Sequence, residues 1–313
     1  MTKEEAMQKE QPPLANGRIG LGMMRIDSLD SSGIRALYSA ARGLGITLFD
    51  HADVYGREWH DCERRFGSAV KLAASEREEI VLQTKCGIRM DAPGLDFSAE
   101  HILRQVEGSL RSLGTEYLDV LMLHRPDTLV EPEEVARAFD ELEESGKVRT
   151  FGVSNHTGGQ IDLLRTCVRQ PLIANQVQFG LGHAALVAQG LAANMEGNPQ
   201  SYDLDNGLLT YSRVHGMTLQ VWSPFQSGFF EGSIFDLPGQ RPLQSSLSRI
   251  AEKYNTSSSA IATAWITRHP ARMQVILGTT RADRISESIL GSKIVLTRAE
   301  WYELYEAAGY IVP

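Results

Sequence analysis

The sequence predicts a protein of the α/β class, a single (β/α)8 barrel of parallel strands. Two observations carry this reading. Eight short, nearly unbroken apolar segments recur at residues 19–24, 46–50, 80–85, 118–124, 150–154, 174–178, 219–223 and 275–278, as strands covered on both faces should. Amphipathic stretches that read as helices fill most of the intervals. Successive strand ends stand about 30–40 residues apart, close to one-eighth of a barrel of roughly 250 residues with its loops. A length of 313 residues would by itself permit two domains, but alternation sustained eight times favours one.

Taken in order, residues 1–17 read as a loose tail ending Gln11-Pro12-Pro13-Leu14-Ala15-Asn16-Gly17, and residues 18–313 as the barrel. Two helices show their signals plainly. Ser98-Ala99-Glu100-His101 gives an acidic first turn, with Ile102, Val106, Leu110 and Leu113 on one stripe and Gly114 closing it. Glu131-Pro132-Glu133-Glu134 opens the next, with Val135, Ala138, Phe139 and Leu142 facing inward and Gly146 at its end. Residues 181–205 and 226–242 follow the sixth and seventh strands and exceed the usual connection length, as pocket-forming loops do. A helix is expected to begin near Ala282.

Composition narrows the function. Hydrophobic residues make up 42% of the chain, enough for one large core, and the formal net charge of −8 argues against a nucleic-acid or anionic-membrane partner. No apolar run approaches the ~20 residues of a membrane span, and residues 1–11 carry no signal-peptide hydrophobic stretch. Cys62, Cys86 and Cys167 lack metal-type spacing, so free thiols, no metal site and a cytoplasmic setting are expected, with Cys86 beside Lys85 as the only candidate redox handle. A monomer or small homo-oligomer fits equally well.

Polar residues gather where the apolar segments end. The second, third and fourth close on Asp50, Lys85 and His124, and Tyr55 lies just past the second. A carbonyl undergoing reduction needs a proton for the developing alkoxide. A free phenol titrates near ~10, and a neighbouring ammonium should lower that value while a carboxylate keeps the lysine charged. An imidazole can donate a hydrogen bond to the carbonyl oxygen. Each residue alone has a plainer reading: a turn for Asp50, a rim salt bridge for Lys85, rim packing for Tyr55, a hydrogen-bonded strand end for His124. Their order on successive strands is what favours proton chemistry. His51 should point away from Asp50, because strand neighbours face opposite sides.

Leu48-Phe49-Asp50-His51-Ala52-Asp53-Val54-Tyr55-Gly56 resembles the aldo-keto reductase signature. So does Gly114-Thr115-Glu116-Tyr117-Leu118-Asp119-Val120-Leu121-Met122-Leu123-His124-Arg125-Pro126-Asp127. The similarity runs from about residue 19 to residue 289. The resemblance implies hydride transfer between NADP(H) and a small carbonyl or alcohol substrate, with Tyr55 as proton donor, Lys85 and Asp50 tuning it, and His124 orienting the carbonyl.

No glycine-rich dinucleotide fingerprint is present, and Gly20 and Gly22 read as turn residues. The later strand ends instead offer Ser154, Asn155 and Gln176, suited to a nicotinamide carboxamide, then Trp222, which can stack on the ring, and Ser223. Gly278-Thr279-Thr280-Arg281-Ala282-Asp283-Arg284 enters a helix and makes an anion site. The resemblance implies that Arg284, with Thr279 beside it, meets the adenosine 2′-phosphate and that Glu287 and Ser288 approach the adenine. Many members have lysine at Gly278 and asparagine at Ser288, so NADPH is favoured with NADH still open.

The chain ends at Pro313, short of the long C-terminal loop of some relatives. The pocket should then be walled by Trp59, residues 181–205 and residues 226–242, with Arg125, Phe225 and Phe229 as further lining candidates. Arg125 either attracts an anionic substrate or pairs with Asp127. Two other functions compete with carbonyl reduction: an NADP(H)-binding redox sensor, and Schiff-base chemistry at Lys85, against which the adjacent Asp50 argues.

Overall fold

The computed structural model describes residue 14 and residues 17–228 and 231–313. Ten strands are formed among them: β1 (Ile19–Gly22), β2 (Leu48–Asp50), β3 (Val81–Cys86), β4 (Leu118–Leu123), β5 (Val148–Ser154), β6 (Leu172–Gln178), β7 (Thr218–Trp222), β8 (Gln226–Ser227), β9 (Gly232–Ser233) and β10 (Met273–Leu277). Eight of them close into a parallel barrel in the order β1-β10-β7-β6-β5-β4-β3-β2, while β8 and β9 form a separate antiparallel hairpin. The expected (β/α)8 architecture is therefore present, each predicted strand overlapping an observed one.

Side-chain alternation divides the barrel into two environments. Outward residues such as Phe49, Leu82, Leu121, Phe151 and Leu219 join the large core between strands and helices. Inward residues Leu48, Val120, Met122, Ala174 and Ile276 form a smaller apolar cluster in the lumen. The helices begin and end as their sequences dictate. Ser98 accepts a hydrogen bond from the His101 N–H at the start of helix Ala99–Leu113, and Gly114 takes the left-handed conformation after it. Pro132 opens helix Pro132–Glu144, whose Val135, Ala138, Phe139 and Leu142 are buried.

Two expectations fail here. Gly20 and Gly22 lie within β1 and make no turn. A Cβ at Gly20 would stand 2.7 Å from Leu48 Cδ2 and 2.9 Å from Ile276 Cδ1, so this glycine makes room in the lumen. The tail also does not end where composition placed it. Leu14 is buried in the luminal cluster, and the Gln274 side chain donates to the Leu14 carbonyl at 3.3 Å and the Gly17 carbonyl at 2.7 Å. The rest of the predicted tail, apart from Gly17, lies outside the described residues.

Among the described residues no helix is long and apolar enough to cross a membrane, and no cluster of His, Cys, Asp and Glu is placed to hold a metal ion.

Helix packing against the barrel depends on close approach at particular glycines. A Cβ on Gly291, at the end of helix Ala282–Gly291, would collide with the Ala260 backbone, whereas one on Gly43, at the end of helix Ser31–Gly43, meets nothing within 4 Å. Gly291→Ala should cost about 1–3 kcal/mol and Gly43→Ala should gain about 0.5–1 kcal/mol. Urea midpoints at unchanged slope measure both.

Candidate active site

The ends of β2, β3 and β4 bring the predicted proton-transfer group together. Asp50 is the last residue of β2, Lys85 lies next to the end of β3, and His124 follows β4. Tyr55 sits on the loop after β2. That loop is pinned by backbone bonds from the Asp53 N–H to the Lys85 carbonyl at 3.0 Å, from the Tyr55 N–H to the Ala52 carbonyl at 3.2 Å and from the Cys62 N–H to the Tyr55 carbonyl at 3.0 Å. The Lys85 ammonium donates to both Asp50 oxygens at 2.8 Å, to the His51 carbonyl at 2.8 Å and to the Tyr55 hydroxyl oxygen at 3.1 Å. Because lysine donates to the phenol oxygen, the phenol's own proton remains available to the cleft. The His124 ring meets the Tyr55 ring edge-on with centroids 5.8 Å apart.

Burial governs the electrostatics. Desolvation works against the Lys85 charge, yet Asp50 and Tyr55 hold its ammonium above the ordinary lysine value. Desolvation likewise raises the Tyr55 phenol, and the opposing Lys85 charge does not reverse it. The expected net lowering of this phenol is therefore corrected: only the lysine's share has the predicted sign. Burial, with help from the Lys85 and Arg125 charges, takes His124 well below the ordinary imidazole value, so it stands neutral and its ring is a hydrogen-bonding group.

Asp50 is further clamped by two side-chain amides, of which sequence reading missed Gln83 and assigned Gln176 to the cofactor instead. Gln83 Nε2 donates to Asp50 Oδ1 at 2.6 Å and Gln176 Nε2 to the same oxygen at 3.0 Å. Gln220 joins them across the lumen, accepting from Gln83 at 2.8 Å and Gln176 at 3.0 Å and donating to Gln274 at 2.9 Å. Gln83 stands two residues before Lys85, hence on the same strand face. A polar side chain at that parity inside an apolar run is the signal that marks it.

A cleft of about 830 Å³ runs from Tyr55 and His124 past Ser154, Asn155 and Trp222 to Arg284, Glu287 and Ser288. Asn155 and Ser223 both take left-handed backbone conformations there, with φ of 62° and 49°. Asn155 is held by its neighbours: Nδ2 donates to the His124 carbonyl at 3.1 Å and to Ser154 Oγ at 2.8 Å, and Oδ1 accepts from Trp222 Nε1 at 3.0 Å. The predicted Ser154–Asn155–Gln176 trio thus lines one wall, with Asn155 and Gln176 already engaged by protein groups. At the far end Gly278, Thr279 and Thr280 border the same cleft, and Glu287 is hydrogen-bonded to Ser259. The Ser288 hydroxyl is buried there without a protein partner. An elongated cleft with an orphan hydroxyl and an exposed Arg284 at one end and the phenol at the other fits a dinucleotide.

Comparison with known proteins agrees with this geometry. Residues 18–308 match the family model described as "Aldo/keto reductase family". The chain belongs to that family. It is 36% identical over 279 residues to the oxidoreductase YdhF of Escherichia coli K12, covering 86% of each chain. To a 6-dehydroglucose reductase of Agrobacterium fabrum it is 34% identical over 303 residues, covering 93% of this chain and 94% of the relative. A solved structure assigned as a 2,5-diketo-D-gluconic acid reductase B shares the fold, with a TM-score of 0.69 at 22% identity over 93% of this chain and 87% of that one. This aldo/keto reductase is accordingly an oxidoreductase.

Several predicted wall residues lie elsewhere in the reductase. Trp59 packs against His60 and His101 and does not line the cleft. Residues 181–205 contribute nothing to it either; they fold locally, with a helix at Ala185–Leu191, and border a separate surface pocket. The segment after β7 does wall the cleft, through Phe225, Gln226, Ser233 and Phe235. Phe229 lies outside the described residues. Cys86 is buried and its thiol is raised well above the ordinary value by burial, which disfavours the reactive thiolate.

His51 faces outward as expected, its ring edge-on to Phe66 at 4.9 Å with both nitrogens unpartnered. Behind it, Glu63 binds His60 at 2.6 Å and Thr84 at 2.5 Å. Burial pushes the His51 imidazole down to about 4. The unfolded chain, titrating near ~6.5, binds a proton that the folded chain refuses, so stability should fall as pH drops from about 6.5 to about 4, by roughly 3 kcal/mol from this residue. His51→Leu should flatten that part of the denaturation profile; an unchanged profile rules out this source.

Proposed function

We propose that the protein reduces a small aldehyde or ketone to an alcohol with NADPH, reversibly, with Tyr55 as the proton donor. The observation that carries this reading is the 3.1 Å hydrogen bond from Lys85 to the Tyr55 oxygen, made by an ammonium whose other partners are Asp50 and the His51 carbonyl. The nicotinamide, when bound, supplies the hydride.

The residues of the chain do the rest. His124, neutral and half-buried at the cleft, donates from its ring to the carbonyl oxygen and fixes it beside the phenol. Tyr55 stays protonated at neutral pH because burial raises it, and it gives its proton to an alkoxide far more basic than a phenolate. Lys85, already hydrogen-bonded to that oxygen, stabilises the phenolate left behind. Asp50 keeps the ammonium charged and in position, which also leaves it a poor nucleophile and disfavours Schiff-base chemistry.

Ser154, Asn155 and Gln176 would hold the carboxamide, Trp222 and Ser223 the nicotinamide side, and Gly278, Thr279 and Thr280 the approach to the adenosine. Arg284 would take the 2′-phosphate, with Glu287 and Ser288 at the adenine. Arg284 is exposed and makes no ion pair among the described residues, which favours NADPH over NADH.

Tyr55→Phe should lower turnover about 10²- to 10⁴-fold while NADPH affinity, read by tryptophan fluorescence, changes little. Near-normal turnover would remove the proton donor. Strong cofactor binding by the wild type without turnover across a panel of aldehydes and sugar-like carbonyls would favour a redox-sensing role instead. The protonated phenol is the donor, so reduction should lose no activity through this group until pH passes the ordinary tyrosine value of about 10. Arg284→Ala should weaken NADPH binding about tenfold and leave NADH nearly unaffected.

A further inference from the structure

Arg125 follows His124 beyond β4, half-buried in the wall of the cleft, with its guanidinium 5.8 Å from the centre of the Trp222 ring. The sequence allowed a rim salt bridge to Asp127, and the structure takes that partner away. Asp127 Oδ2 accepts from the Phe97 N–H at 3.1 Å and Oδ1 from the Leu129 N–H at 2.9 Å, so this carboxylate caps two loops. Among the described residues Arg125 forms no ion pair with any carboxylate.

Of the other charged residues bordering the cleft, Arg25 is a second cation, and among the described residues neither Asp236 nor Glu287 forms an ion pair with Arg125. Lys85 is matched by Asp50, and His124 is uncharged. Glu287 lies at the other end of the cleft, where it is bonded to Ser259. Burial lowers the guanidinium somewhat from its ordinary value, which still leaves it charged at neutral pH. A partly desolvated cation without a counter-charge is costly unless a ligand supplies one. The planar guanidinium suits the oxygens of a carboxylate or a phosphate. Arg284, at the far end of the cleft, is the group placed for the cofactor's own phosphate, whereas Arg125 adjoins the two residues that would hold the reacting carbonyl.

We propose that Arg125 determines specificity by binding an anionic group, a carboxylate or a phosphate, carried by the carbonyl substrate. This inference rests on the carbonyl-reductase reading given above. Two substrate pairs test it in steady state with NADPH: succinic semialdehyde against butanal, and glyceraldehyde 3-phosphate against glyceraldehyde. Wild type should favour the charged member of at least one pair, and which pair responds separates the carboxylate from the phosphate. Arg125→Gln should cut that charged-to-neutral ratio of kcat/KM by about 10- to 100-fold, as expected for a lost charged hydrogen bond, with NADPH affinity retained. Arg125→Lys should recover part of the ratio, since it restores charge without the planar fork.

Equal loss on both members of each pair, or no preference in the wild type, overturns the proposal. A second readout needs no turnover: calorimetric titration of succinate and of inorganic phosphate into the protein saturated with NADP+. Binding by the wild type that Arg125→Gln abolishes supports the anion site, even if all four aldehydes go unreduced and the reductase reading falls. No binding of either anion by the wild type overturns it.

Discussion

A buried ion pair organises this molecule. Lys85 and Asp50 meet at 2.8 Å with side chains almost wholly removed from solvent. Such a pair holds only when its remaining hydrogen-bonding capacity is met, because desolvating two charges costs more than their attraction alone returns. Here Gln83, Gln176 and the His51 carbonyl meet it, and Gln220 and Gln274 carry the network onward to the carbonyls of Leu14 and Gly17. Register makes this column possible: Asp50 pairs with Gln83, Gln176 with Gln220, and Gln220 with Gln274 across adjacent parallel strands.

The alternation that points Asp50 and Lys85 inward sends His51, Thr84 and Cys86 the other way, into the layer between barrel and helices. That layer also buries Glu63, and Asp53 with neither carboxylate oxygen partnered, so burial raises Asp53 well above the usual carboxylate range. Chemically versatile side chains therefore occur on both faces of the same short segment. Only the inward set opens onto the cleft, and parity separates the two.

This accounts for what could be read in advance. Asp50, Lys85, His124 and Tyr55 were legible because strand ends converge at one mouth in a parallel barrel and residue type does the rest. Gln83 and Gln220 are hidden inside segments defined by apolar content, and Gln274 stands one residue before another. Gly20 misled because a glycine's meaning depends on what packs against it, here Leu48 and Ile276 from distant strands. The walls were harder still: residues 181–205 and 226–242 are both long, yet only the second reaches the cleft. The sign of the Tyr55 shift was equally inaccessible, since a near neighbour is visible in a sequence and the depth of burial is not.

Among the described residues, Leu14 and the apolar side chains above it stopper the base of the lumen, and the cleft opens beside Tyr55 at the other end. That cleft is the doorway to the phenol for ligand and replacement proton alike, so an occupant seated there also hinders the supply by which the hydroxyl is renewed.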